Sequence, residues 1–85
     1  MHIRWETGGE AEVLAIEGDR ITVASTMPAA PGSRPAGVLP SGAVMKVKVA
    51  RCKRKDERFV IEGRLIDTLR ETRGEIQRLV SPPAD

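Results

Sequence analysis

The segment 43–67, AVMKVKVARCKRKDERFVIEGRLID, alternates apolar and polar residues with a period of two over most of its length. In an extended strand successive side chains point to opposite faces, so Met45, Val47 and Val49 fall on one side and Lys46 and Lys48 on the other. After the charged tip CKRKDER the pattern resumes with Phe59, Ile61 and Leu65, and Gly63 is small enough for a bend or a close crossing. The spacing predicts a long antiparallel hairpin with one face buried. A hairpin alone is marginal in water and needs further strands or a helix against its apolar face. In 85 residues those partners have to come from the rest of a small chain, which limits the fold to one economical core.

The partners are legible upstream. VLAIEGDRITVAS, residues 13–25, reads as two strands folded back on a tight Glu17-Gly18-Asp19-Arg20 turn, because Gly accepts positive φ and Asp favours turns. Strict alternation sets Val13 opposite in facing to Leu14 and Ile16, with Ile21 and Val23 sharing one side. HIRW is a short extended piece with Ile3 and Arg4 on opposite faces, broken by ETGG. Residues 26–42 hold four prolines and three glycines in seventeen residues and read as an irregular connection, in which Val38 and Leu39 form a short edge strand. The C-terminal part changes period. Leu69, Thr72, Ile76, Leu79 and Val80 share one side of a helix expected over about 68–80, and Ser81-Pro82-Pro83 ends it. Both Thr68-x-x-Glu71 and Thr72-x-x-Glu75 have capping-box form, and Gly74 favours the later start. The expectation is a mainly all-β single domain over 1–85 with five or six short strands within about 2–66, followed by one helix. Met45, Val47, Val49, Phe59, Ile61 and Leu65 should share a core with Ile21, Val23 and the apolar helix face.

Charge is local. Residues 46–64 carry eight Lys/Arg and three Asp/Glu, net +5, within a chain of formal net charge +2. There is no apolar run of the roughly 20 residues that spans a bilayer, and MHIRWETGGE lacks the apolar segment of a signal peptide, so no membrane is expected and the location is read as cytoplasmic. The lone Cys52 forms no internal disulfide framework, and His2 has no co-ligands for a metal. With one histidine, at position 2, there is no Ser/His/Asp or Cys/His set, and no glycine-rich phosphate loop. The reading is therefore a non-enzyme with no cofactor.

The hairpin AEVLAIEGDRITVAS, the Pro31-Gly32 pair, MKVKVARCKRKDERFVIEGRLID and RETRGEIQRLV together resemble a PilZ-type domain over roughly residues 10–80. That resemblance implies a small six-stranded antiparallel β-barrel with one C-terminal α-helix. It also implies a ligand, cyclic di-GMP, held by an R-x-x-x-R segment before the barrel and a D/N-x-S-x-x-G motif in the first hairpin. Arginine forks bond phosphate bidentately and stack on guanine, and the glycine permits close approach. Here Ala15 stands at the acidic position, Glu17 at the serine and Arg20 at the glycine, while Arg4 has no second arginine at the required spacing. A carboxylate at position 17 repels phosphate. The turn thus reads as only a turn, and the resemblance carries the fold without its usual ligand.

What remains is the basic hairpin tip, Arg51, Lys53, Arg54, Lys55 and Arg58. It reads either as a docking surface for an acidic partner or a phosphate backbone, or as a solvated turn whose lysines keep an edge from pairing. Asp56 and Glu57 interrupt the run, which favours the solvated turn. Nucleic acid is disfavoured by the shortage of aromatics: with no Tyr and Phe59 patterned inward, only Trp5 is left to stack, and a Trp there more often plugs a barrel end. Cys52 beside basic residues is either a reactive thiol or, more often in a strand, inert. Arg70 and Arg73 are expected to pair with Glu71 or Glu75. The function expected is a stand-alone PilZ-like regulatory or adaptor domain with a protein partner. An atypical cyclic di-GMP receptor and a small nucleic-acid-binding barrel are the alternatives.

Overall fold

The alternating segments fold into six strands that close into a barrel, followed by one helix. A computed structural model describes residues 3–66 and 68–79. In chain order the elements are β1 (Ile3–Trp5), β2 (Glu10–Glu17), β3 (Arg20–Ser25), β4 (Ala36–Val38), β5 (Val44–Lys55), β6 (Arg58–Ile66) and α1 (Arg70–Leu79). The closed order is β1-β2-β3-β6-β5-β4, every neighbouring pair antiparallel. Closure shortens the free sheet edges, the usual aggregation hazard of small β proteins, leaving the second side of β5 unpaired by a strand only toward the hairpin tip among the described residues.

The interior is filled by alternating residues of β1, β2, β3, β5 and β6, together with Leu39 just past the end of β4. Ile3, Trp5, Ala11, Val13, Ile21, Val23, Leu39, Met45, Val47, Val49, Ile61 and Leu65 form one apolar cluster that also takes in Ile76 from α1. Phe59 departs from this set. It pairs across the sheet with the buried Ser25 on one side and the exposed Arg54 on the other, at the margin of the core, and is only half-buried. The pattern placed it on the correct face, but the hairpin runs past the end of the core.

Two bulges correct the strict alternation. In β2 the register slips between Val13 and Ala15, so Leu14 is the extra residue and is exposed, while Ile16 returns to the side of Val13 and packs on the core. Ile16 was expected opposite Val13; the bulge reverses that. In β5 the slip lies between Val49 and Arg51, with Ala50 extra, and the inward set passes from Val49 to Cys52, which packs against the cluster. Gly63 faces this bulge. A Cβ there would run into the Lys48 carbonyl oxygen and Val47 Cγ1, so close backbone approach requires Gly at this point.

The proline-rich connection seals the rest. Val47 and Val49 donate their amides to the carbonyls of Pro35 and Ser33 (3.1 and 2.9 Å), and Gly32 donates to Val49 O (2.7 Å), so residues 32–35 cover β5 as an irregular strand. The expected edge strand at Val38 and Leu39 is instead β4, paired on both sides by β1 and β5, with Leu39 just past its end and buried. Trp5 is 4 % exposed, and its indole N–H donates to Ser25 Oγ (2.9 Å) where β3 ends. Ser25 Oγ in turn donates to Met27 O (2.7 Å). Trp5 is thus a core residue with its polar atom satisfied.

The helix begins at Arg70, not at the later start that Gly74 favoured. Thr68 does not cap it, because its hydroxyl donates to Ile66 O (2.9 Å), and Thr72 lies buried inside the helix. Leu69 does not join the apolar face but is 73 % exposed. Glu75 does not pair with Arg73: its carboxylate accepts from the Ser41 hydroxyl and amide, fastening α1 to the 39–43 loop. Nor does Arg70 pair with Glu71 among the ion pairs of the described residues. The expectations for His2, Val80 and Ser81-Pro82-Pro83 lie outside the described residues.

Candidate functional site

With the inside of the barrel committed to packing, interaction chemistry has to lie outside it, and there the strands present rows of side chains set by register. Outward positions of β5 include Lys46, Lys48, Arg51, Lys53 and Lys55 beside the exposed Val44; those of β6 are Arg58, Val60, Glu62, Arg64 and Ile66. All of the basic residues among them are exposed. Pairing sets Lys48 opposite Arg64, Arg64 opposite Arg20, and Arg20 opposite Glu17, so three cations stand side by side across three strands. The next row runs Arg51, Glu62, Thr22, Ala15, and the one after it Lys53, Val60, Ala24, Glu12.

Ion pairs among the described residues are Arg51 to Glu62 (3.4 Å) and Arg58 to Glu12 (3.5 Å). Both are largely exposed, and such pairs contribute only about 0.2–1 kcal/mol. They nonetheless divide the cations into two groups. Arg51 and Arg58 are held in ion pairs, whereas Arg20, Lys48 and Arg64 form none among the described residues, although Arg20 stands opposite Glu17 in the register.

Two depressions mark this face. A groove of about 620 Å³ runs over β2, β3, β6 and β5, lined by Ala15, Glu17, Arg20, Thr22, Ala50, Arg51, Glu62 and Arg64 among others. It lies where the outward side chains are short, Ala15 and Thr22 on one side and the Ala50 bulge on the other. It is open and polar, unlike the concave apolar sites that enclose small ligands. A second, shallower depression lies over Leu14, Ala24 and Val60, flanked by Lys55, Asp56, Glu57 and Arg58.

The tip residues read from sequence are not brought together as a unit. Lys53 and Lys55 face outward with Arg51 and Arg58, but Arg54 lies on the other side of the hairpin, opposite Phe59. Ala15, Glu17 and Arg20 do share one groove. Arg4 is exposed on β1, opposite Glu10 and Val38. Lys46, Lys48 and Arg64 were not among the sequence candidates. The alternation that made Val47 and Leu65 core residues already placed them outward, but only the register shows that Lys48, Arg64 and Arg20 form one row. Among the described residues no group of three or more His, Cys, Asp or Glu side chains gathers to hold a metal, and no helix is long and apolar enough to cross a membrane.

Compared with protein-family models, curated proteins and solved structures, the chain matches none.

Proposed function

We propose that this barrel is a PilZ-like regulatory or adaptor domain, cytoplasmic and non-enzymatic, that engages an acidic protein surface through the outer face of β5 and β6. The observation that carries the reading is the sorting of charge by the pleat. Met45, Val47, Val49 and Cys52 of β5 face the core, and five of its outward residues are cations, to which Arg58, Arg64 and Arg20 are added across the register. Such a field raises encounter rates with an acidic patch more than it raises final affinity, and salt screens it beyond about 8–10 Å. Both aromatic residues lie off this face, Trp5 in the core and Phe59 on the inner side of the hairpin. The missing stacking surface supports a protein partner over single-stranded nucleic acid.

The test is the double reversal Lys53→Glu with Lys55→Glu, two exposed outward residues. The partner is captured from the native cell on the wild-type barrel, and its association is then timed against both proteins over a salt series. Association with the variant should be slower by about tenfold at low salt and should converge with wild type as salt is raised. Full association of the variant at low salt overturns the reading.

A further inference from the structure

The row formed by Arg20, Arg64 and Lys48 sets a physical problem that the fold does not need. Like charges directly opposite one another on a sheet destabilise it, and here three stand in line without an ion pair among the described residues, Glu17 standing opposite only the outermost, Arg20. Strands are about 4.8 Å apart, so the row spans roughly 10 Å. Arg20 and Arg64 line the groove floored by Ala15, Thr22 and Ala50, where the side chains are short enough to admit another chain and Glu62 is already paired with Arg51, and Lys48 extends the row beside Arg64. The hairpin tip differs. Arg58 already faces Glu12, Arg54 points to the other side, and Asp56 and Glu57 dilute the field.

We propose that an acidic segment of the partner protein lies in this groove and that its carboxylates are received by Arg20, Arg64 and Lys48, with the hairpin tip contributing only long-range attraction. The proposal rests on the acidic-partner reading above and assigns its contact site. The occupant follows from charge complementarity and shape. An open, polar groove with a row of cations along it suits a chain that presents several carboxylates in succession. Glu17 at the end of the row repels an anion that overshoots it and so limits the segment's position.

The experiment uses a fluorescein-labelled peptide in which Glu alternates with Ala, followed by anisotropy at low ionic strength. Two variants of equal charge loss are compared, Arg20→Gln/Lys48→Gln/Arg64→Gln and Lys53→Gln/Arg54→Gln/Lys55→Gln. The row variant should weaken binding by about tenfold or more, as three lost charge contacts predict, and the tip variant by less than about threefold. Without peptide the row variant should also melt higher than wild type, because the repulsion is removed. Equal losses in both variants, or a larger loss at the tip, overturn the assignment while leaving the acidic-partner reading in place. If wild type does not bind the peptide at all, the broader reading falls and the assignment with it. A single-stranded oligonucleotide that binds more tightly than the peptide, with the same dependence on the row, overturns the choice of a protein segment.

Discussion

Gly63 and Gly74 share a side chain and have opposite reasons for it. Gly63 lies where β6 crosses the β5 bulge, and an added Cβ would meet the Lys48 carbonyl oxygen, which cannot move without disturbing the ladder. Gly74 lies inside α1, where an added Cβ meets only Arg78 Nη1 at 3.8 Å, ordinary contact with a flexible side chain. Gly63→Ala should therefore cost about 3 kcal/mol, the upper part of the overpacking range, and Gly74→Ala should add about 0.5–1 kcal/mol. Urea unfolding followed by the fluorescence of Trp5, the sole tryptophan, reads both. Changes of the same sign at the two positions would contradict the geometry. The contrast was half legible beforehand: a glycine in a strand pattern suggests close approach, but a glycine in a helix pattern equally suggests a break, and in α1 packing overrode that suggestion.

Strand β5 is longer than the core it serves, and that mismatch decides the worth of its neighbours. Ile61 is 1 % exposed beside Cys52, whereas Phe59, two residues nearer the turn, is half-buried. Ile61→Ala should cost about 2–5 kcal/mol, while Phe59→Ala should cost about half the ~3–5 kcal/mol of a fully buried Phe. Side-chain size alone gives the reverse order, so chemical denaturation of the two variants separates packing from composition. Among its described side chains, helix α1 is held by the fully buried Ile76, with Thr72 buried beside it in the helix, and by the Glu75 carboxylate on Ser41. Ile76→Ala should destabilise by about 2–5 kcal/mol. Glu75→Ala should change stability by less than about 1 kcal/mol, since the hydrogen bonds it loses are exposed. If the Glu75→Ala loss were the larger, the carboxylate and not the apolar contact would be what fixes the helix.

The whole barrel carries a formal charge of only +2, yet one face gathers most of its cations because the strands pleat and the barrel closes. Titration calorimetry with cyclic di-GMP should give no binding at micromolar concentration. Ala15 and Glu17 stand where the PilZ motif for that ligand has an acidic residue and a serine, and the Glu17 carboxylate lines the groove together with Arg20. A dissociation constant below a micromolar that requires Arg4 or Arg20 would favour the receptor alternative.

Alternation and turn chemistry, which act between near neighbours in the chain, were enough to place five of the six strands, the hairpins and most of the core. Met45, Val47, Val49, Ile61 and Leu65 are inward for the reason their spacing gives. Where a contact depends on residues far apart in sequence, the pattern was silent or misleading. The bulges at Leu14 and Ala50 shift facing by one residue, because a closing barrel has to bend its long strands, and no local preference states where. The pairing of β4 on both sides and the seating of the proline-rich loop on β5 follow from closure. The candidate site depends on the same long-range geometry. The sequence placed Lys48 and Arg64 on outward faces, but their alignment with Arg20 is a matter of register, set by how β3, β6 and β5 bury their other sides together.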